Sequence, residues 1–398
     1  MKNYILKDAG QSVPPSSIQK SSIQHPASGL RRAQSSRTRP FIIPVFLPHQ
    51  GCPHRCLFCN QIAITSVKKN LPSTKRLRSW INNYIKYKGK QRHPVQIAFY
   101  GGNFLGLKTD DIMRLLHEAA RFVKDGLIDS IRFSTRPDTI DIQRLDVIKQ
   151  YPVATIELGV QSMDDQVLAA ANRGHTALDT EKAVELLQAH KYEIGLQMMV
   201  GLPGDDETKS LATGRRMAGL GPDFVRIYPT AVLENSPLAA LYRQGEYTPW
   251  PLERCVIIVK NLYLMFINNK IPVIRMGLQV SGDLAEGSTI LAGPYHPAFG
   301  HLVHSEIFLD RAAAAIKSEK SNHDTITLKV HPRNISKMRG LNNQNIEILK
   351  RKFQIKHIRI IPDPALSQNK LVVQQHPNPA EPAGEQARHH PAPQKFSF

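Results

Sequence analysis

The chain has 398 residues, of which 41% are hydrophobic and 21% are charged, a composition typical of a globular protein with roughly two domains. Its formal net charge of +19 indicates a polyanionic partner, with nucleic acid as the first candidate and a solvated basic surface as the alternative. No uninterrupted apolar run of about 18 residues occurs, so no transmembrane helix and no membrane partner are predicted.

Residues 1–40 are rich in Ser, Pro, Gln and Arg and show no apolar periodicity, so we predict a disordered basic arm. Between Asp8 and Asp110 there is no acidic residue, while Lys and Arg are frequent. The amino terminus has no apolar signal core. An organellar transit peptide would have a similar composition, but a reducing cytoplasmic location, in which thiolates stay available, is the favoured prediction.

From residue 41 to residue 276, short apolar runs typical of strands alternate with longer segments of helical spacing. The predicted strands are 41–47, 95–100, 130–134, 155–160, 193–200, 224–228 and 273–276. The predicted helices are 74–87, 110–123, 141–149 and 252–267, with further helices after Asp164 and Leu178 and from about Asp205. This alternation predicts an α/β protein whose parallel sheet is closed wholly or partly into a barrel. A doubly wound open sheet would show the same pattern.

The loop after the first predicted strand holds three of the four cysteines, Cys52, Cys56 and Cys59, at C-x3-C-x2-C spacing. Thiolates at such spacing suit zinc or an iron–sulfur cluster. A structural zinc site would need His49 or His54 as its fourth ligand, whereas a [4Fe-4S] cluster with three cysteine ligands keeps one iron open for a small molecule. Three cysteines this close do not pair evenly into disulfides.

Five further motifs follow the cysteine loop along the chain. They are Tyr100-Gly101-Gly102-Asn103, Ser134-Thr135-Arg136-Pro137-Asp138, Glu157-Leu158-Gly159-Val160-Gln161-Ser162, Asn172-Arg173-Gly174-His175-Thr176 and Gly201-Leu202-Pro203-Gly204. With the cysteines, this set resembles the radical SAM superfamily, and in particular the radical SAM module of the Elongator catalytic subunit and its short bacterial relatives. The resemblance covers about residues 41–300. It implies a partial (β/α) barrel, a [4Fe-4S] cluster held by Cys52, Cys56 and Cys59, and S-adenosylmethionine as the second cofactor.

The resemblance also implies which residues contact S-adenosylmethionine. They are Gly101, Gly102, Asn103, Ser134, Arg136, Gln161, Arg173 and Gln197. Adjacent glycines let the backbone approach the amino group of the cofactor, and arginine can bind its carboxylate. Related sequences often carry a glutamate where this chain has Ser134, so its ribose contact departs from the family pattern. Arg136 would equally serve as a structural partner of Asp138, and His175 is interpreted as a satisfied loop histidine. No catalytic residue is assigned.

After residue 300 the pattern changes to a small α+β unit, predicted over residues 301–362. Its predicted elements are a helix over 306–316, a strand over 325–330, a helix over 345–353 and a strand over 358–361. Residues 325–362 carry nine Lys or Arg against Glu347 as the one acid, a net charge of +8. This indicates a platform for a phosphate backbone, with a solubilising basic surface as the alternative. From Asp363 to the end, Pro, Gln and Ala predict a disordered tail.

These features predict a radical SAM enzyme that cleaves S-adenosylmethionine reductively and abstracts hydrogen from a substrate, with a low-potential electron donor as a partner. By resemblance to the Elongator subunit, which acts on the wobble uridine of tRNA, the substrate is an RNA (tRNA) base bound through basic surfaces. That family carries an acetyltransferase domain, for which the roughly 100 residues after Gly300 are too few. The cysteine spacing also resembles porphyrinogen-oxidising relatives, so oxidation of a small molecule is an alternative. A non-catalytic RNA-binding protein with a structural metal is another.

Overall fold

The structure is a computed structural model, and it describes residues 40–61, 71–88, 94–278, 289–318 and 324–375. The basic arm predicted for residues 1–40, apart from its last residue, and the predicted tail beyond residue 375 lie outside this part of the chain. Within it, no helix is long and apolar enough to cross a membrane.

Seven parallel strands form the main sheet, in the order β1-β2-β3-β4-β5-β6-β8. They are β1 (Phe41–Phe46), β2 (Val95–Tyr100), β3 (Ser130–Thr135), β4 (Val153–Gln161), β5 (Glu193–Val200), β6 (Phe224–Pro229) and β8 (Val273–Met276). The strands follow one another in chain order, with no point at which the order reverses, as a doubly wound sheet would require. Because β1 and β8 are both edge strands, the barrel is partial, which confirms the predicted fold.

Helices connect the strands and cover one face of the sheet. They are α1 (Thr74–Tyr87), α2 (Thr109–Lys124), α3 (Ile142–Ile148), α4 (Asp165–Ala170), α5 (Ala177–Ala189), α6 (Glu207–Gly219), α7 (Pro237–Arg243) and α8 (Leu252–Asn268). In α2 the apolar residues Ile112, Leu115 and Ala119 recur at helical spacing and are buried. Asp110 and Asp111 occupy its first turn, where the positive end of the helix dipole favours carboxylates.

The two faces of the sheet differ in polarity because strand side chains alternate between them. On β4, Ile156, Leu158 and Val160 are fully buried in the hydrophobic core beneath the helices. Glu157 and Gln161 lie on the opposite side, which we call the inner face of the barrel. Parallel strands also end at the same edge of a sheet, so the loops that follow β1 to β5 gather at one end of this inner face.

A two-stranded antiparallel pair lies beside the cysteine loop and has no counterpart in the sequence prediction. It consists of β7 (Val232–Leu233) and β9 (Ile290–Ala292). Together with α7 it forms a small hydrophobic cluster, against which Leu57 and Phe58 of the cysteine loop pack. Strands of two or three residues carry too little periodicity to be found from sequence.

The carboxyl-terminal unit contains a three-stranded sheet in the order β11-β10-β12, with α9, α10 and α11. These elements are α9 (Phe299–Ser318), β10 (Thr325–Val330), α10 (Ile335–Arg339), α11 (Gln344–Phe353), β11 (His357–Pro362) and β12 (Leu371–Gln375). α9 is longer than the predicted helix over 306–316 and crosses the domain boundary predicted at residue 300. It packs against α8 of the barrel as well as against α10 and α11.

The structure also differs from the prediction after residue 363, where we expected a disordered tail. β12 lies in that segment and pairs in antiparallel fashion with β10. The reason is local, since Leu371 and Val373 alternate with more exposed residues and pack onto the core of the unit. The Gln- and Pro-rich surroundings conceal this short apolar strand when composition alone is considered.

Candidate functional site

The three clustered cysteines lie in the loop after β1, at the carboxyl end of the partial barrel. Cys56 is buried, and Cys52 and Cys59 are partly buried. Burial, together with the neighbouring Cys56 and Cys52 thiols, raises the pKa of Cys59 to about 12. Burial also raises the pKa of Cys52, although the nearby Arg173 guanidinium opposes this. The three sulfurs therefore share one poorly solvated site, in which bound cationic metal would favour their thiolate forms.

The cysteine loop is in close backbone contact with the loop that follows β2. Gly51 has a φ of +71°, and a Cβ atom there would lie 2.2 Å from the carbonyl oxygen of Asn103. A Cβ atom on Gly102 would lie 2.5 Å from the carbonyl oxygen of Leu47. A Cβ atom on Gly106 would meet the Gly51 carbonyl oxygen at 2.2 Å. Only glycine permits this approach, which explains the paired glycines of the motif on local grounds.

Asn103 joins the cysteine loop to the end of β3. Its side-chain amide donates to the carbonyl oxygen of Gly51 at 2.9 Å. Its Oδ1 atom accepts from the hydroxyls of Thr135 at 2.7 Å and Thr139 at 3.0 Å, and from the backbone N–H of Arg136 at 3.0 Å. Asn103 is only 1% exposed, and both its amide nitrogen and its oxygen are engaged in these hydrogen bonds. Of the predicted Gly-Gly-Asn contact, the backbone of Gly101 and Gly102 is the part left to meet a ligand.

The other side of the cysteine loop is held by the segment after α4. Leu57 N–H donates to the carbonyl oxygen of Ala171 at 3.0 Å, and the amide of Asn172 donates to the carbonyl oxygen of Arg55 at 3.0 Å. Arg173 donates from Nη1 to the Cys56 sulfur at 3.4 Å. This segment is the predicted Asn-Arg-Gly-His motif, so the structure brings it into direct contact with the cysteines.

Two buried arginines carry nitrogen atoms that have no hydrogen-bond acceptor among the residues that the structure describes. Arg136 forms a bidentate pair with Asp138, at 2.9 Å for each bond, and its Nη1 atom is buried without a partner. Arg173 donates from Nη2 to the carbonyl oxygen of Gly159 at 2.6 Å, and its Nε atom is buried without a partner. The positive charges of Arg136 and Arg173 both oppose the rise in the pKa of Cys52 that burial causes, so both guanidinium groups are close to the cysteines. Their unsatisfied donors fit an anionic group such as a carboxylate.

The remaining predicted contacts lie on the inner face beside these arginines. Gln197 donates to the side-chain oxygen of Gln161 at a long 3.4 Å. Gln161 has a φ of +69° at an irregularity between β4 and β5, which turns its side chain toward Arg173 and Gly159. Ser134 on β3 is in register with Glu157 on β4. The structure therefore brings Ser134, Gln161 and Gln197 to one region of the inner face.

His175 and Asp205, two ionisable groups close to this region, have structural roles. His175 contacts the carbonyl oxygen of Val160 through Nε2 at 3.2 Å, and burial lowers its pKa to about 3. It is therefore neutral, in line with its interpretation as a loop histidine. Asp205 accepts from the Gly201 N–H at 2.8 Å and from the Ser210 hydroxyl at 2.7 Å. These bonds fix the turn between β5 and α6.

The donor set fits an iron–sulfur cluster better than a single zinc ion. Among the residues that the structure describes, no three His, Cys, Asp or Glu side chains, the three cysteines included, are arranged to hold one metal ion, so the choice between zinc and a cluster rests on the types of ligand. His49 accepts through Nε2 from the Gln61 N–H at 3.1 Å. The His54 ring lies against Gly174, where a Cβ atom would be 2.3 Å from the ring. Neither histidine is arranged as a fourth zinc ligand, whereas three cysteines suffice for a larger cluster with one open iron.

Two family models match the chain. The model of the radical SAM superfamily matches residues 46–212, and the model of the radical SAM C-terminal domain matches residues 222–308, so together they cover more than half of the sequence. The chain belongs to the radical SAM superfamily. Its cofactors are those of the superfamily, a [4Fe-4S] cluster and S-adenosylmethionine, as the resemblance implied.

Relatives of this radical SAM protein include a tRNA uridine(34) acetyltransferase from Dehalococcoides mccartyi, which is 26% identical over 250 residues, with 54% of each protein covered. Elongator complex protein 3 from Saccharomyces cerevisiae is 25% identical over 199 residues, which cover 45% of this chain and 36% of the relative. The chain thus spans about half or less of the length of these relatives. Among solved structures, Elp3 from Methanocaldococcus infernus aligns with a TM-score of 0.53 at 20% identity, over 68% of this chain and 63% of that chain. This last similarity supports the fold.

Sequence reasoning missed several residues that shape this site. The amide of Asn60 donates to the carbonyl oxygen of Glu234 at 2.5 Å, and Arg55 donates to the carbonyl oxygen of Asn235 at 2.8 Å. Both bonds join the cysteine loop to the segment between β7 and α7. Their partners are backbone carbonyls about 175 residues away in the chain. Every residue has a backbone carbonyl, so the residue types at these positions do not mark them as partners of the cysteine loop. Only the fold reveals these contacts.

Proposed function

We propose that this protein is a radical SAM enzyme that cleaves S-adenosylmethionine reductively and abstracts hydrogen from a base in RNA, with tRNA as the first candidate. The observation that carries the proposal is the similarity of its radical SAM region to proteins named tRNA uridine(34) acetyltransferase and Elongator complex protein 3. The acetyltransferase activity in the first of these names is not part of the proposal, because the match covers only 54% of that protein.

In the proposed site, Cys52, Cys56 and Cys59 would hold the [4Fe-4S] cluster, and the bound cluster would supply the electron for reductive cleavage of S-adenosylmethionine. The backbone of Gly101 and Gly102 binds the amino group of S-adenosylmethionine, and Asn103 holds these glycines against the cysteine loop. Arg136 and Arg173 offer their unsatisfied donors to its carboxylate. Ser134, Gln161 and Gln197 orient its ribose and adenine. The buried surroundings of Cys56 exclude water from the centre.

A basic helix on the outer side of the barrel supports RNA as the partner. α1 carries Lys and Arg but no acidic residue. Trp80 and Tyr87 are 39% and 83% exposed on one side of it, and the Trp80 and Tyr84 rings lie 5.5 Å apart. Residues 80, 84 and 87 recur at helical spacing, so they form a single aromatic stripe. Aromatic rings interleaved with cations are the surface that single-stranded nucleic acid prefers, since bases stack on the rings while phosphates meet the charges.

The carboxyl-terminal unit adds a second basic surface. Its exposed cations include Arg351 and Lys352 on α11, and Arg359 on β11. In contrast to the ion pairs of the barrel, few carboxylates oppose them, and Lys350 with Glu347 is one such pair, at 3.2 Å. We propose that this unit contacts the phosphate backbone at a distance from the reacting base.

Oxidation of a small molecule is the second candidate function. The cysteine spacing that suggested it is compatible with either substrate, and the inner face is polar enough to bind a carboxylated molecule. The basic helix and its aromatic stripe have no purpose in that case. If the substrate is a small molecule, reversing the charges on α1 should therefore leave the turnover rate unchanged.

The test compares 5′-deoxyadenosine formation by the anaerobically reconstituted, dithionite-reduced protein in three reactions: no substrate, bulk tRNA and coproporphyrinogen III. We expect tRNA to stimulate the formation of 5′-deoxyadenosine and coproporphyrinogen III to have no effect. The tRNA should also acquire a new nucleoside that mass spectrometry detects. An Arg76→Glu/Lys86→Glu variant of α1 should bind tRNA about tenfold more weakly and with a smaller salt dependence. Lys182→Glu/Lys209→Glu, which makes the same charge change on α5 and α6, is the matched control.

Three results would overturn the proposed substrate. Stimulation by the porphyrinogen and not by tRNA would favour the small-molecule alternative. Equal loss of tRNA affinity in the two charge-reversal variants would show that α1 has no special role. Tightly bound zinc, with no iron uptake and no cleavage of S-adenosylmethionine, would leave a non-catalytic RNA-binding protein.

A further inference from the structure

The inner face of the barrel carries more positive charge than its own carboxylates neutralise. Arg132 on β3, Arg226 on β6 and Arg275 on β8 all belong to this face, and two carboxylates, Glu157 on β4 and Glu193 on β5, oppose them. We call the three arginines the inner arginine face. None of them belongs to the cysteine loop or to the predicted contacts with S-adenosylmethionine.

Glu157 is shared by two of the three arginines. Arg226 approaches it through Nε at 2.9 Å and through Nη2 at 3.0 Å. Arg132 lies on its other side, with Nε 3.4 Å from Oε1. The Tyr100 hydroxyl donates to Glu157 at 3.0 Å and accepts from Arg226 at 3.0 Å. Burial and the Glu157 carboxylate raise the pKa of Tyr100 to about 12, so Tyr100 adds no negative charge. One carboxylate therefore faces two guanidinium groups.

Arg275 adds a third cation with no internal partner. It is in register with Arg226, as Met276 is with Ile227, so Arg226 and Arg275 leave the same face of the sheet. Arg275 is partly buried, and it has no hydrogen bond or ion pair in the part of the chain that the structure describes. Two arginines side by side repel each other, and burial makes each charge costlier without a counter-ion.

The position of these arginines relates them to the reaction. Glu157 is two residues before Gly159, whose carbonyl oxygen contacts Arg173, and Arg226 is in register with Gln197. The inner arginine face therefore adjoins the proposed S-adenosylmethionine site along the strands. The two are about 7 Å apart, which is the rise of two residues in a strand. A substrate whose carbon atom reacts at the cofactor would extend onto this face.

We propose that the inner arginine face binds an oxyanion of the substrate, with Arg275 as its main ligand and Arg226, whose Nε and Nη2 atoms already bind Glu157, as a neighbouring positive charge. The proposal rests on the proposed function and adds a chemical requirement to the substrate. A guanidinium fork matches the geometry of a phosphate or a carboxylate with two parallel hydrogen bonds. In RNA the oxyanion is the phosphodiester next to the reacting nucleoside, and in a small molecule it is a carboxylate. Arg132 is 5% exposed, and its guanidinium carbon lies 5.2 Å from the centre of the Phe224 ring. It contributes positive charge from beneath the proposed binding surface.

The experiment measures equilibrium binding by calorimetry to the reconstituted protein, with S-adenosylmethionine saturating so that its own carboxylate occupies its site. The probes are uridine 5′-monophosphate, inorganic phosphate, uridine and tricarballylate. The variant is Arg275→Gln, chosen because Arg275 has no internal partner and its loss should leave the thermal unfolding midpoint unchanged. Arg215→Gln, which removes an exposed arginine of α6, is the matched control.

We expect the wild-type protein and Arg215→Gln to bind uridine 5′-monophosphate and phosphate, and Arg275→Gln to bind them about tenfold more weakly. Uridine should bind equally to all three proteins. Binding of tricarballylate in place of the phosphates, with the same loss in Arg275→Gln, would support an oxyanion site and assign it to a small carboxylated substrate.

Equal binding by Arg275→Gln and Arg215→Gln would overturn the inference, as would a lower unfolding midpoint in Arg275→Gln without weaker anion binding. Failure here is distinct from failure of the proposed function. Cleavage of S-adenosylmethionine without anion binding would refute only the oxyanion site. Anion binding without any cleavage would refute only the proposed reaction.

Discussion

Replacing Asn103 with alanine tests the role of this residue as the tie between the cysteine loop and β3. The change removes four buried hydrogen bonds, one to Gly51 and three from Thr135, Arg136 and Thr139. At about 1 kcal/mol of net stabilisation for each bond, the expected loss is about 4 kcal/mol. If the loss is confined to the cysteine loop, the population of an opened loop rises by up to about 10³-fold.

The assay combines urea unfolding with alkylation of the metal-free protein, in which labelling of the buried Cys56 is followed by mass spectrometry. Asn103→Ala should unfold at lower urea concentration, or label Cys56 faster by two to three powers of ten, and it should take up less iron. Asn269→Ala is the matched control, because the amide of Asn269 makes a single exposed bond to Met265. Its effect should stay within about 0.5 kcal/mol. A loss of less than about 1 kcal/mol in Asn103→Ala, with unchanged labelling, would refute the structural role.

Gly102→Ala should lower the free energy of unfolding, measured with urea, by about 1–3 kcal/mol because its Cβ atom would lie 2.5 Å from the Leu47 carbonyl oxygen. Gly219→Ala is the control, since its Cβ atom would meet no atom within 4 Å and the free energy of unfolding should not fall. Burial lowers the pKa of His175 to about 3, so below its usual value of about 6.5 the unfolded chain binds the extra proton and stability falls toward acid pH. His175→Gln should flatten that decline in thermal unfolding midpoints, and an unchanged slope would contradict it. Burial raises the pKa of Asp205 to about 6, so stability should fall as pH rises from about 4 to about 6. Asp205→Asn should remove this loss of stability between about pH 4 and about pH 6 in the same measurement. If the loss persists in the variant, Asp205 is not its cause.

The fold was largely readable from the sequence because hydrophobic periodicity is strong in a buried parallel sheet. All seven predicted strands are present, and the helix predicted over 252–267 is α8 (Leu252–Asn268). Their continuous apolar runs reflect burial beneath the helices, and this signal is local. The β7–β9 pair escaped prediction because strands of two or three residues show too little periodicity, and β12 because its apolar residues lie in a Gln- and Pro-rich segment.

The candidate site was only partly readable, for a different physical reason. The cysteines and glycines were found because their chemistry demands rare residue types at fixed short spacing. The hydrogen bonds of Asn103 and the inner arginine face depend on register between strands that are far apart in the chain. Arg226 lies 69 residues after Glu157, and nothing in either motif indicates that they meet. Such pairs follow from topology, which sequence alone does not supply.

The central claim is that the cysteine loop supports reductive cleavage of S-adenosylmethionine. The most direct measurement is 5′-deoxyadenosine formation by the anaerobically reconstituted and dithionite-reduced protein, compared between Cys56→Ala and Cys255→Ala. Cys255 is fully buried in α8 and away from the loop, so it controls for the loss of a thiol. We expect formation in the wild-type protein and in Cys255→Ala, and none in Cys56→Ala. Equal formation in both variants, or none in the wild-type protein despite a full cluster, would contradict the claim.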